Sequence, residues 1–231
     1  MKINFQSPEV RVVRTNILGQ EIFFAVDQPR DLVQSHHLAG RFYEPDELLI
    51  MSKGFPVGGR LLDIGANVGN HTIFFGKLMN ATRITPIEVN PRVIDLLRTN
   101  ITINGLLPVC DLSHVGVGFY SETIGGAGIA FRERNIGGAR IATEGGELSL
   151  VRGEDVLDEP FDLVKIDVEG AEIHVLDGLA GLIASCRPNL FVEVDKENTE
   201  AFLNWMVAND YQEVERFQRY RTNTNFLVAP V

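Results

Sequence analysis

Two cysteines are all this 231-residue chain has, and neither Cys110 nor Cys186 stands at a metal-ligand spacing. That excludes a disulfide framework, and both are expected as buried free thiols in a reducing, cytoplasmic setting. Basic residues are also scarce. Twenty-one Lys and Arg face 31 Asp and Glu, for a formal charge of −10. A field of that sign repels a phosphate backbone, so no nucleic-acid partner is expected. The densest basic cluster, Arg216, Arg219 and Arg221, reads as a solvated loop. No apolar run is long enough for a membrane span. The opening MKINFQSPEVRVVR lacks the apolar segment and small-residue cleavage site of a signal peptide. Two nucleotide-binding loops are missing as well. There is no G-x-x-x-x-G-K-[ST], which excludes a P-loop. The dinucleotide fingerprint needs glycine at 65, 67 and 70, where the chain has Gly65, Asn67 and Asn70. The second glycine lets backbone touch a pyrophosphate and the third lets helix and strand pack closely, so their loss argues against a nicotinamide-dependent oxidoreductase.

What is present is ordinary globular composition, 45% hydrophobic and 23% charged, enough for one sizeable core. Residues 10–26 read as a β-hairpin and 29–38 and 45–53 as two short helices, an N-terminal unit over 1–55 expected to pack on the rest. Over 56–231, short apolar runs alternate with helical segments. RLLDI, RITPIE, VCDLSHVGV, FDLVKID and NLFVEV read as strands, and YQEVERF and NFLVAPV as a closing antiparallel pair. One helix, opened by Pro91, is expected to stop at Asn104-Gly105, and another is expected over AEIHVLDGLAGLIAS. Strands alternating with helices mean βαβ units, an α/β fold with a largely parallel sheet. Residues 118–155 are glycine-rich and irregular, the signature of a functional flap or a poorly ordered loop.

In LLDIGANVGNHTIFF, residues 61–75, what remains of the fingerprint is Asp63, Gly65 and Gly69. An acid closing the strand disfavours phosphate and favours a cation. Glu88, ending the next strand, can accept both hydroxyls of a ribose. A cationic ligand with a ribose and no pyrophosphate is S-adenosylmethionine, whose product is S-adenosylhomocysteine. The alternative is that Asp63 caps the following helix and Glu88 is a surface acid.

With PIEVNPRVIDLLRTNITINGL and VKIDVEGAEIHVLDGL following that stretch, the chain resembles the FkbM family of S-adenosylmethionine-dependent class I methyltransferases over roughly residues 40–229. The resemblance implies a Rossmann-like sheet of seven strands with an antiparallel last strand. It also implies O-methylation of a sugar or natural-product hydroxyl, or N-methylation of a peptide side chain. By position, Asp63, Gly65, Asn67 and Gly69 would line the cofactor, and Glu88 would hold the ribose with Asn90 beside it. Gly116 or Val117 would lie near the adenine. Tyr43-Glu44 matches a Tyr-Glu pair of the family, with Glu44 toward the methionine ammonium. His71 reaches the cofactor or serves packing.

Methyl transfer to a hydroxyl needs positioning and somewhere for the proton to go. Asp167 ends the fourth strand, Glu169 follows it, and Lys165 lies one side-chain repeat back. Asp167 and Glu169 could serve as base and hydroxyl clamp, or jointly hold a divalent metal. Alternatively, Glu169 could merely cap the helix beginning at Gly170. Glu193, inside an apolar strand, must be paired or functional. His174 reads as a helix-surface histidine, His36-His37 lacks further ligands for a metal, and Trp205, Phe74 and Phe75 read as packing. A catalytically silent cofactor binder is the rival reading. No motif declares the acceptor or an oligomeric state.

Overall fold

The computed structural model describes residues 10–132 and 135–231. Residues 1–9, at the start of the expected N-terminal unit, and 133–134, within the expected flap, lie outside the described residues. The hairpin is formed by β1 (Arg11–Ile17) and β2 (Gln20–Val26), paired antiparallel through a Leu18-Gly19 turn in which both residues have positive φ, the combination that matches strand twist. After it come α1 (Leu32–Leu38), capped by Asp31, and α2 (Pro45–Lys53).

The alternating core follows as β3 (Arg60–Ile64), α3 (Asn70–Leu78), β4 (Arg83–Ile87) and α4 (Pro91–Ile103). Asn90 caps α4 by accepting from the Arg92 amide, and Pro91 takes the first helical position, where no amide donor is needed. The chain continues through β5 (Val117–Phe119), β6 (Ile124–Arg132), β7 (Asn135–Val151) and β8 (Leu163–Ile166). It ends in α5 (Glu172–Gly178), α6 (Ala180–Cys186), β9 (Asn189–Asp195), α7 (Thr199–Ala208), β10 (Tyr211–Phe217) and β11 (Asn223–Pro230).

The main sheet has the order β10-β11-β9-β8-β3-β4. Strands β4, β3, β8 and β9 are parallel, and β11 runs antiparallel between β9 and β10. Successive side chains of β3 go to opposite faces. Leu61 joins Phe75, Ile84 and Phe24 in the layer of α2, α3 and α4, whereas Leu62 and Ile64 join Val164, Val192 and Phe202 in the layer of α5 to α7. Burial on both faces is why the central strands read as unbroken apolar runs.

The N-terminal hairpin is tied to this core by two asparagines of α4 and its end. Asn100 accepts the Ala25 amide at 2.7 Å, and Asn104 accepts the Phe23 amide at 2.9 Å while donating to the Phe23 carbonyl at 2.7 Å. Side-chain amides thus occupy the strand edge that would otherwise stay unpaired. His37 stacks on Phe24 at 4.3 Å between centroids and bonds Asn70, a packing role; burial pushes it down to about 4.

Three expectations are corrected. The main sheet has six strands, not seven, because VCDLSHVGV supplies only one bridge, Cys110 to Ile84. Beyond it, Asp111 turns the chain, accepting the Ser113 amide and hydroxyl at 3.0 and 2.7 Å while Arg83 holds its other oxygen. Local Asx bonding outcompetes the ladder there. Among the described residues the glycine-rich insertion forms a three-stranded sheet, β5-β7-β6, rather than irregular chain. Its glycines permit close strand crossing, for a Cβ at Gly146 would lie 2.4 Å from the Ala127 carbonyl oxygen. The long helix after β8 divides at Leu179 into α5 and α6.

Candidate active site

A cavity of about 700 Å³ opens at the carboxyl ends of β3, β4, β8 and β9, where open parallel sheets place their ligands. Its floor is the turn after β3. Gly65 has φ +79°, and a Cβ there would lie 1.9 Å from the Asp167 carbonyl oxygen, so only glycine fits between the ends of β3 and β8. The amides of Gly65 and Ala66 both donate to the Ile87 carbonyl. Asn67 takes the left-handed conformation, φ 51°, and donates its amide to Glu88 Oε2 at 2.8 Å. The amides of Val89 and Asn90 donate to Glu88 Oε1 at 2.8 and 2.7 Å. The donors a phosphate would need are therefore occupied by a carboxylate. Burial raises Glu88 from its ordinary value, and the three amides and Lys165 oppose that rise.

Behind the floor lies a buried ionic group. Lys165 Nζ donates to the Gly65 carbonyl at 2.7 Å and lies 3.5 Å from Asp63 Oδ1 and 3.4 Å from Asp167 Oδ2. Burial alone would lower this ammonium, yet Asp167, Asp63 and Glu44 hold it above the ordinary lysine value. Asp63 is wholly buried and accepts the Thr72 hydroxyl at 2.7 Å. It lies behind the cavity wall and acts on the cavity through Lys165.

Glu44 enters from the start of α2 in a left-handed conformation, φ 56°. Its neighbour Tyr43 is held through the backbone by Asn70, which accepts the Tyr43 amide at 2.9 Å and donates to its carbonyl at 3.0 Å. Burial, then Asp167 and Glu47, push Glu44 up to about 8. His71 lies in the wall beside it, Nε2 3.9 Å from Glu44 Oε2 and without a hydrogen-bond partner. Burial and Lys165 lower His71 to about 4, so it is neutral. From β9, Glu193 accepts Asn223 Nδ2 at 2.6 Å. Burial, with Asp167, Glu44 and Glu169 as like-charged neighbours, raises it well above the carboxylate range.

Of the residues singled out from the sequence, Glu44, Gly65, Asn67, His71, Glu88, Asn90, Lys165, Asp167, Glu169 and Glu193 all line this cavity. Gly69 instead begins α3. Gly116 donates its amide to the Glu88 carbonyl, and the wall is made by Gly118 and Phe119 rather than by Gly116 or Val117. Glu169 does not cap a helix at Gly170, since α5 starts at Glu172 with no side-chain cap. Among the described residues no three acidic, histidine or cysteine side chains gather as a metal-ligand cluster. His174 lies elsewhere, stacked on Tyr120.

Tyr43, singled out with Glu44, also lines the cavity, whereas Tyr220, Arg140 and Asn223 carried no motif of their own. Tyr43 and Tyr220 join their hydroxyls at 3.0 Å. Arg140 of β7 pairs with Asp195 at 2.6 Å and brings the second sheet, through Ile141, against the cavity. Tyr220 belongs to the loop between β10 and β11, which Arg219 anchors by two bonds of 2.6 Å to the buried Glu47. The sequence reading of a solvated basic loop is thus corrected for Arg219, which is held by a buried carboxylate.

Residues 63–223 match the methyltransferase FkbM domain family. No curated protein matches the chain. Among solved structures, the fold resembles a methyltransferase FkbM from Methylobacillus flagellatus at 18% identity, TM-score 0.58, covering 85% of this chain and 52% of that one. It also resembles the tRNA m1G37 methyltransferase of M. jannaschii, at 18% identity, TM-score 0.55 and coverage of 95% and 56%. Trm5 of Methanocaldococcus jannaschii in complex with adenosine is similar at 16% identity, TM-score 0.53 and coverage of 96% and 57%. The chain thus spans little more than half the length of these proteins. No helix among the described residues is long and apolar enough to cross a membrane.

Proposed function

The chain belongs to the FkbM methyltransferase family, and from that premise we propose that it moves a methyl group from S-adenosylmethionine to a hydroxyl of a sugar or small natural product. The observation that carries this reading is Glu88, fixed by three backbone amides at the edge of an acid-lined cavity. A carboxylate so held suits ribose hydroxyls and repels a diphosphate. Around it, Gly118 and Phe119 offer a surface to the adenine, and Glu44 with the turn at 65–67 faces the methionine end.

When bound, S-adenosylmethionine supplies a methyl on a positive sulfur and leaves as neutral S-adenosylhomocysteine. Asp167 is one-third exposed, at the cavity side of Lys165, and takes the proton the acceptor hydroxyl loses as its oxygen gains the methyl. Lys165 holds that carboxylate in place, and Glu193 with Asn223 shapes the acceptor side. N-methylation of a peptide side chain remains the second reading, because the same base serves an amine. The cavity's acidity disfavours a nucleic-acid acceptor. Two free thiols fit a cytoplasmic setting.

Titration with S-adenosylhomocysteine and with reduced nicotinamide dinucleotide tests the cofactor; heat of binding only from the dinucleotide would overturn the assignment. Asp167→Ala then separates an enzyme from a silent binder. Affinity for S-adenosylhomocysteine should survive while transfer falls by about a hundredfold or more, the usual worth of a positioned base.

A further inference from the structure

The methionine end of the cavity is built around a carboxyl group with no cation in contact. The Glu44 side chain is 13% exposed, and its ion-pair partner among the described residues is His71, Nε2 to Oε2 at 3.9 Å. That partner is neutral, since burial and Lys165 lower His71 to about 4. The two cations that attract Glu44 are engaged elsewhere. Lys165 serves Asp63, Asp167 and the Gly65 carbonyl, and Arg219 serves Asp46 and Glu47. Asp167 and Glu47 oppose a charge on Glu44, and a charge there would in turn oppose one on Glu193. Burial among acids without a contacting cation keeps a carboxyl group protonated. Here it pushes Glu44 up to about 8.

A second observation lies in the same wall. His71 is 5% exposed, and its Nε2 is buried with no hydrogen-bond partner. An uncharged acid and an unanswered ring nitrogen thus stand together beside the turn at 65–67. An ammonium brought against Glu44 favours its carboxylate and disfavours a proton on His71. Glu193 holds its own proton more firmly once Glu44 is charged, and Tyr43, raised by burial and by Glu44, stays a phenol.

We propose, on the methyltransferase reading above, that Glu44 gives up a proton to solvent when the cofactor binds, its O–H bond breaking as the methionine ammonium takes the proton's place. The empty cavity then carries no standing charge at this end, and the ammonium enters by exchange for a hydrogen ion. The ammonium already holds its own proton near neutral pH, so the released one comes from the protein. Below about 8 binding sheds a proton and affinity rises with pH; above that value Glu44 has none to give.

Calorimetric titration of the whole chain with S-adenosylhomocysteine, in phosphate and in imidazole buffer, counts the protons. The observed heats differ by the protons released times the difference in buffer ionisation heat. At about pH 7 more than about half a proton per bound cofactor is expected, and affinity should strengthen by about three- to tenfold from about pH 6 to about pH 7, tenfold being the limit for one proton. The nucleoside 5′-deoxy-5′-methylthioadenosine lacks the ammonium and should bind without release, which excludes Glu88 as the source. Glu44→Gln should bind S-adenosylhomocysteine more weakly and without release, whereas Glu193→Gln should still release the proton. Release near zero from the wild type, equal release with the methylthio nucleoside, or release that Glu44→Gln retains or Glu193→Gln abolishes would overturn the proposal. Failure of the wild type to bind S-adenosylhomocysteine would instead sink the underlying assignment.

Discussion

Lys165→Met is the sharpest test of how the site is held together. The substitution keeps the length of the stem and deletes the ammonium, leaving Asp63, fully buried, with one hydrogen bond from Thr72. Breaking a buried ion pair by removing one member costs about 3–5 kcal/mol, because the remaining charge is stranded. For a chain of this size each kcal/mol lowers the melting temperature by about 2–4 °C, so a fall of roughly 6–20 °C is expected. The pH dependence has a definite sign. The folded lysine lies above its ordinary value of 10.5, so its contribution is fully present below that value and lost only as pH rises beyond it. The variant's deficit should therefore be large at neutral pH. Thermal melts of both proteins across pH measure this. A fall under about 3 °C at neutral pH would refute the buried ionic group as described.

Glu88→Gln presents an amide where three amide donors converge, and should weaken S-adenosylhomocysteine by about ten- to a hundredfold in calorimetry while far-UV dichroism stays unchanged. Gly65→Ala places a methyl 1.9 Å from the Asp167 carbonyl at φ +79°, and is expected to abolish cofactor binding and lower solubility on expression. Arg219→Ala strands Glu47, which is 1% exposed, whereas Glu47→Ala frees a guanidinium that can turn to solvent. Denaturant titration should find the arginine variant less stable by about 1–3 kcal/mol. Glu44 is raised from 4.5 to about 8, so the folded state prefers its protonated form. That stability is present below about 4.5 and lost as pH climbs to about 8, and Glu44→Gln should flatten the decline in melting temperature over this window.

The parts of the fold legible in the sequence were those governed by local periodicity and turn chemistry. The Leu18-Gly19 hairpin, β3 with its glycine turn, and α4 with Asn90 and Pro91 at its start all follow from adjacent residues. VCDLSHVGV misled because apolar alternation says nothing about whether Asp111 will bond Ser113 in preference to a neighbouring strand. The glycine-rich stretch misled in the other direction. Glycine lowers strand propensity residue by residue, yet here it allows β6 and β7 to cross closely, a gain that exists only once both strands are present. In the site, residues at the carboxyl ends of strands could be listed beforehand, because topology sends them to one crevice. Tyr220, Arg140 and Asn223 could not, since they arrive from other segments and carry no spacing rule.

Among the described residues the β5-β7-β6 sheet shares no ladder with the main sheet, yet it supplies Gly118, Phe119, Arg140 and Ile141 to one wall of the cavity. One continuous stretch of chain can therefore be rewritten, or exchanged for a relative's, while the turn at 65–67 and the carboxylate at 88 stay untouched. Replacing β6 and β7 alone would vary the wall that carries Arg140 and Ile141 and keep Gly118 and Phe119 of β5, the residues proposed to face the adenine.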